Sequence, residues 1–280
     1  MKEILLPTDF SDYALNAIFT AIKLQHKTPC HFILLHAYEP DTINKSGRQS
    51  SSRAGIVYDA MQKHAFNKLE EALNVIAKVS DYNEHTFSVK AVRGNLATVI
   101  SELVPKHDLD LIVMGTKGAT GAKQIFLGSN TVRVLKKVRN CPILAIPEKF
   151  NFQSLSNIVF PTEYAHFFSK RQLKPLTVLA EAWRSQVLVF HVAQEFKLSE
   201  QQVANKNILK ERLASIKHSF YKVTIRTTVA EAITEFANEQ VADMICLIHY
   251  GHTFMEKLTQ EPVVNRVGFH TEMPLLILPE

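Results

Sequence analysis

An internal duplication constrains this 280-residue chain more than any other feature. Ile4-Leu5-Leu6-Pro7-Thr8-Asp9 returns as Ile158-Val159-Phe160-Pro161-Thr162-Glu163, and His31 to Ala37 returns as Gln186 to Val192. Val99-Ile100-Ser101-Glu102-Leu103 with Asp110 to Met114 returns as Ala232-Ile233-Thr234-Glu235-Phe236 with Asp243 to Leu247. Cys141 to Pro147 returns as Met273 to Pro279. Four segments matched in the same order require one supersecondary plan executed twice.

Each half alternates two periodicities. Short continuous apolar runs at 3–7, 31–38, 86–92, 110–114 and 142–147 predict strands buried on both faces. Between them lie helical patterns. Ser11 is placed to cap a helix whose apolar face is Ala14, Ala17, Ile18, Ala21 and Ile22. Further helices are expected over 57–79, 95–106 and 129–139. Five strands alternating with four helices predict an open, doubly wound α/β sheet in each repeat. The stretch 41–55, rich in Ser, Gly, Lys and Arg, reads as a surface loop. A short linker near 148–156 divides the chain into expected domains 1–149 and 156–280.

Composition narrows the class. Hydrophobic residues make up 46% and charged residues 21%, an ordinary globular balance. No apolar run reaches the roughly 18–20 residues that a spanning helix needs, and the N-terminus carries no signal-peptide pattern, so a cytoplasmic, membrane-free protein is expected. Cys30, Cys141 and Cys246 form no CxxC pair and lie in or beside apolar runs, which predicts buried thiols. Residues 1–150 hold 19 Lys and Arg against 14 Asp and Glu, and residues 151–280 hold 13 of each, so the whole excess of 5 falls in the first half. That bias suits a polyanionic ligand or a solvated face. No basic run interleaved with aromatics suggests nucleic acid.

The chemistry centres on glycine spacing. After Leu111 to Met114 come Gly115, Lys117 and Gly118, then Gly128, Ser129, Asn130 and Thr131. Gly115 and Gly118 allow close backbone approach and positive φ, and Gly128-Ser129 opens a helix whose N–H groups and dipole attract phosphate. The hydroxyls of Ser129 and Thr131 and the charges of Lys117 and Lys123 add donors. The spacing also fits a flexible loop with a capping Gly-Ser. It is neither a Walker A sequence nor a dinucleotide fingerprint, because the glycines follow the fourth strand.

This array, Gly-x2-Gly-x9-Gly-Ser after a strand ending Met114-Gly115, resembles the ATP-binding signature of the universal stress protein (UspA-like) family. So do the strand ending Pro7-Thr8-Asp9 and the closing Cys141-Pro142-Ile143-Leu144 strand. The likeness spans 1–147, with a weaker copy over 157–280. It implies two tandem Rossmann-like, adenine nucleotide alpha hydrolase-like domains with five-stranded parallel sheets. It also implies an ATP, ADP or AMP ligand, with Mg2+ bridging phosphates and no dedicated protein ligand for the metal. Pro7, Thr8 and Asp9 then lie on the adenosine side, and His36 and Ala37 enclose the base. Met114, Gly115, Lys117, Gly118, Gly128, Ser129, Asn130 and Thr131 surround ribose and phosphates. The two closing strands are expected to pair, as in dimers of single-domain relatives; homodimers of the whole chain stay open.

The second repeat departs from the pattern. Ile248 stands at the Gly115 position, Glu163 at the Asp9 position, and Glu261-Pro262 replaces Gly128-Ser129. A carboxylate there repels phosphate and proline removes a donor, so this copy is expected to bind no ATP. His166, His191, His249 and His252 are candidates for another ligand at that degenerate site, though no third ligand at metal spacing accompanies them. Asp9 has no evident base partner for a hydrolase, so efficient catalysis is not indicated. The resemblance implies a nucleotide-binding stress-response regulatory protein whose occupancy shifts its affinity for an unidentified protein partner. A slow ATPase and a module without nucleotide are the alternatives.

Overall fold

The computed structural model describes residues 1–39, 51–79, 84–116, 127–191, 197–222, 229–249 and 272–280. These form two compact units, one within Met1–Cys141 and one within Pro142–Glu280. The first contains β1 (Lys2–Pro7), α1 (Asp12–Leu24), β2 (Cys30–Tyr38), α2 (Ser51–Val79), β3 (Thr86–Arg93), α3 (Leu96–His107), β4 (Leu111–Gly115) and α4 (Ser129–Lys137). The second contains β5 (Ile143–Ile146), β6 (Asn157–Thr162), α5 (Lys170–Trp183), β7 (Gln186–His191), α6 (Glu200–Arg212), β8 (His218–Lys222), α7 (Val229–Glu239), β9 (Met244–Ile248) and β10 (Leu275–Leu278).

In the first unit the parallel strands run in the order β3-β2-β1-β4. Ile4, Leu5 and Leu6 are wholly buried, as a central strand covered on both faces requires. The α1 helix starts where expected: Ser11 accepts from the Ala14 amide, and Ala14, Ala17, Ile18, Ala21 and Ile22 are buried. The α2 helix begins at Ser51, so Ser51 to Gly55 are helical where a loop was expected. Its buried residues Ala65, Leu69, Ala72 and Ile76 follow the helical repeat and anchor it. Residues 41–50 of the expected loop lie outside the described residues.

The second unit repeats the plan, with parallel strands in the order β10-β9-β6-β7-β8. That is the five-stranded parallel sheet foreseen for each repeat. The closing strand of the first repeat, β5, also lies in this unit. It pairs antiparallel with β10, Leu276 opposite Leu144, and the paired residues are buried. Two apolar closing strands thereby cover each other's hydrogen-bonding edge.

Both repeats fasten their central strands in the same way. In the first, an Asp110 carboxylate oxygen accepts from the Glu3 amide at 2.9 Å, and the Asp110 amide donates to the Glu3 carbonyl at 2.9 Å. In the second, an Asp243 carboxylate oxygen accepts from the Ser156 and Asn157 amides at 2.6 and 3.0 Å, and its own amide donates to the Asn157 carbonyl at 2.9 Å. The clamps set equivalent registers, Ile4 beside Leu111 and Ile158 beside Met244.

The three cysteines are free and buried. Burial pushes the Cys30 thiol up to about 11 and the Cys141 thiol up to about 12, and raises Cys246 as well. A raised folded-state pKa favours the neutral thiol. Its stabilising contribution is therefore complete below pH 9.0 and is lost as pH climbs from there through the folded values.

Two predictions follow from these contacts. Asp243→Ala removes a half-buried acceptor of two amides and should cost about 2 kcal/mol in urea unfolding, more than Asp110→Ala at its exposed clamp; equal losses would contradict the difference in burial. At pH 8, Ellman's reagent should titrate all three thiols in denatured protein and essentially none in native protein, and fast native labelling of any one would show an open core.

Candidate functional site

The first unit's chain steps from β1 outward to β2 and β3, then returns to β4 on the other side of β1. Where the order reverses, the following connections diverge and leave a crevice beyond the carboxyl ends of β1 and β4. A cavity of about 300 Å³ occupies that place.

One wall is the turn after β1. The Thr8 amide donates to the Leu35 carbonyl at 2.8 Å, and the Thr8 hydroxyl accepts from the Phe10 amide at 3.0 Å. This contact holds Phe10 at φ 64°, a left-handed conformation rare for an aromatic residue. Asp9 is fastened too: its Oδ1 accepts from the Ser11 amide and hydroxyl at 3.1 and 2.6 Å. Pro7, Thr8 and Asp9 all line the cavity.

The second wall is the end of β2. His36 Nδ1 lies 2.8 Å from the Thr8 carbonyl, which can only accept, so the Nδ1 proton points there. The imidazole packs at 33° against the Phe10 ring, 4.5 Å between centroids. Ala37 lies beside it, and Ala14, Leu96 and Met114 complete an apolar lining.

The third wall joins β4 to α4. Gly128 caps α4 without any side-chain hydrogen bond, and no acidic residue stands in the first turn. Ser129, Asn130 and Thr131 thus bring to the cavity a helix start whose first amides lack intrahelical acceptors. Two details differ from the sequence expectation. The Thr131 hydroxyl donates to the Gly115 carbonyl at 3.0 Å, so it braces the loop rather than facing a ligand. The Gly128 amide donates to the Thr116 carbonyl at 2.5 Å, so the available amides begin at Ser129. Gly115 also ends β4 without a positive φ; what it offers the cavity is the absence of a side chain.

Every described residue proposed for the nucleotide lines this one cavity: Pro7, Thr8, Asp9, His36, Ala37, Met114, Gly115, Gly128, Ser129, Asn130 and Thr131. Lys117, Gly118 and Lys123 lie outside the described residues. Ala14 and Leu96 were missed. Each stands in the first turn of a helix that follows a strand or turn at this edge, a position that could have signalled them.

The second unit preserves the turn and covers it. The Thr162 hydroxyl accepts from the Tyr164 amide at 3.0 Å, and Tyr164 has φ 54°, matching Thr8 and Phe10. Here α6 side chains cap the turn: Gln202 Nε2 donates to the Glu163 carbonyl at 2.9 Å, and the buried Asn205 Nδ2 donates to the Tyr164 carbonyl at 2.8 Å. Ile248 closes β9 at the Gly115 register position and is buried. Gly251, His252, Glu261 and Pro262 lie outside the described residues.

Of the four histidines named as candidates for another ligand, His252 lies outside the described residues; among the described residues no group of three His, Cys, Asp or Glu could hold an ion. His191 instead lines a separate cavity of about 230 Å³, which neither His166 nor His249 lines. Its ring stacks on Tyr164, 5.1 Å between centroids and 11° between planes. Burial, with the positive charges of Lys206 and Lys222 behind it, lowers the His191 pKa below the ordinary 6.5. Among the described residues, no helix is long and apolar enough to cross a membrane.

The model of the Universal stress protein family matches residues 1–147. Universal stress protein MJ0531 of Methanocaldococcus jannaschii is 30% identical over 145 residues, covering 52% of this chain and 81% of that protein. Universal stress protein MJ0577 of the same organism is 33% identical over 156 residues, covering 53% and 96%. The crystal structure of a universal stress protein from Archaeoglobus fulgidus covers 99% of this chain and 98% of its own, with TM-score 0.66 at 17% identity, a shared fold along the whole length.

His191 yields a pH prediction. An unfolded histidine takes its proton near 6.5, whereas the folded one does so only at lower pH, so stability should fall as pH drops below about 6.5 towards the folded value. An NMR titration should return a His191 pKa under 6.5; a value above it would mean the two lysines and the burial do not act on this ring.

Proposed function

The chain belongs to the universal stress protein family, and from that premise we propose that its first repeat binds ATP or a related adenine nucleotide as a stress-response regulatory protein. In this reading residues 1–149 form the nucleotide-binding domain and 156–280 a degenerate copy. One observation carries the proposal: Pro7 to Asp9 and Gly128 to Thr131, far apart in sequence, meet in one cleft at the point where strand order reverses.

The walls differ in chemistry, and the difference orients the ligand. His36, Ala37, Ala14, Leu96 and Met114 offer a flat, largely apolar surface for the base. The start of α4 supplies amides and a positive dipole end for phosphates, with Ser129 and Asn130 in the first turn. Lys117 and Gly118 are proposed to belong to the set around ribose and phosphates, with Lys123 adding positive charge nearby.

Asp9 is the one carboxylate among the described lining residues, and its Oδ1 is held by Ser11. One tethered carboxylate does not make a cage for Mg2+, which keeps several waters and binds through one or two carboxylates plus phosphates. A metal here would arrive on the nucleotide. Ligand occupancy would then act by changing the surface offered to a protein partner in the cytoplasm, with the single chain or a homodimer as the responding species.

In the second repeat, Ile248 fills the Gly115 position, and Gln202 and Asn205 take the carbonyls of the turn. Both features support a stoichiometry of one.

Calorimetry should find one ATP per chain. Gly115→Ile, which copies the second repeat's residue into the first cleft, should weaken binding at least about a hundredfold, or 2.7 kcal/mol at 1.36 kcal/mol per decade. Two equivalent sites, or undiminished binding in Gly115→Ile protein that melts normally, would refute the proposal.

A further inference from the structure

The cavity at the carboxyl ends of β7 and β8 is built unlike the first-unit cleft and shares only the His191 position, equivalent to His36, with it. Tyr164, Phe220 and Tyr221 line it with aromatic rings, and Leu198 adds an apolar side. Lys206 from α6 reaches across the rings, its Nζ 5.8 Å from the Tyr164 centroid and 5.5 Å from that of Phe220. Both distances lie within cation–π range, so the ammonium is held over the cavity by ring faces. Lys222 at the end of β8 adds a second positive charge. No carboxylate stands among the described lining residues.

His191 completes the arrangement. It is 5% exposed, lines the cavity, and its Nε2 is buried with no hydrogen-bond partner. A buried polar atom left unpaired costs free energy that a ligand acceptor can recover. Neutral imidazole protonated at Nε2 donates one hydrogen bond. An ammonium donates up to three. The complement is an anionic acceptor on a flat apolar body.

Volume sets a lower bound on size. A cavity of roughly 150 Å³ accommodates one benzene ring, so the 230 Å³ present here has room for a single ring with its carboxylate. Charge and shape agree. We propose that the second unit binds a small aromatic carboxylate, its ring between Tyr164 and Phe220 and its carboxylate at Lys206 and His191 Nε2. The duplicated half that lost the nucleotide cleft would then sense a different class of metabolite.

Benzoate and its neutral isostere benzamide separate charge from shape. Calorimetry and saturation-transfer NMR on the full chain should show saturable benzoate binding at least about tenfold tighter than benzamide. Lys206→Met retains the aliphatic stem and should weaken benzoate at least about tenfold while leaving the melting temperature and first-repeat nucleotide affinity unchanged. Should that variant fold poorly, Lys222→Met provides the same comparison with a smaller loss. Absence of saturable benzoate binding, equal affinity for benzamide, displacement by ATP, or benzoate binding untouched by both lysine substitutions would each overturn the proposal.

Discussion

Parallel pairing of β1 with β4, pinned at its amino end by Asp110, decides where the two loops at its carboxyl end meet. Because Ile4, Leu5 and Leu6 are buried on both faces, apolar alternation does not set this register, and the Asp110 contact with the Glu3 amide does. With register set, Thr8 and Asp9 emerge beside Gly115, and the start of α4 is tied down by Thr131 on the Gly115 carbonyl and Gly128 on the Thr116 carbonyl. The cleft is the residue of that geometry. His36 ties the second wall to the first, while Thr131 and Gly128 tie the start of α4 to the end of β4.

Duplication makes the molecule its own control. Asp243 repeats the Asp110 clamp, and Thr162 with Tyr164 repeats the turn of Thr8 with Phe10, left-handed backbone included. The frame is therefore retained in both repeats. The difference lies in what approaches the turn: in the second unit α6 presents Gln202 and Asn205 to its carbonyls. Once those acceptors are satisfied from within, the turn is fixed by the protein itself. Cation, ring and unpaired imidazole then collect one strand further along, at the ends of β7 and β8.

Much of this was legible in the primary structure, and for local reasons. Continuous apolar runs announce strands covered on both faces, and Ser11 three residues ahead of Ala14 announces a helix start. Pro7-Thr8-Asp9 and the Gly128 to Thr131 segment could be read as cleft residues because both follow central strands. The hydroxyl of Thr131 was misjudged: nothing in the local sequence says that the Gly115 carbonyl sits 3.0 Å away. The α2 helix starts ahead of the expected 57 because Ser51, Ser52 and Gly55 read as loop residues locally, while the buried stripe from Ala65 to Ile76 carries the segment.

Sequence alone determined the duplication, the alternation of strand and helix, and the residue types at the strand tips, since these follow from periodicity and short-range hydrogen bonding. Tertiary structure alone decided that Asp110 and Glu3 bond across 107 positions and that α6 covers the second turn, whereas the pairing of β5 with β10 was already expected from the family resemblance. Those outcomes depend on which edges and carbonyls remain unsatisfied once the sheets have formed. No window of neighbouring residues contains that information.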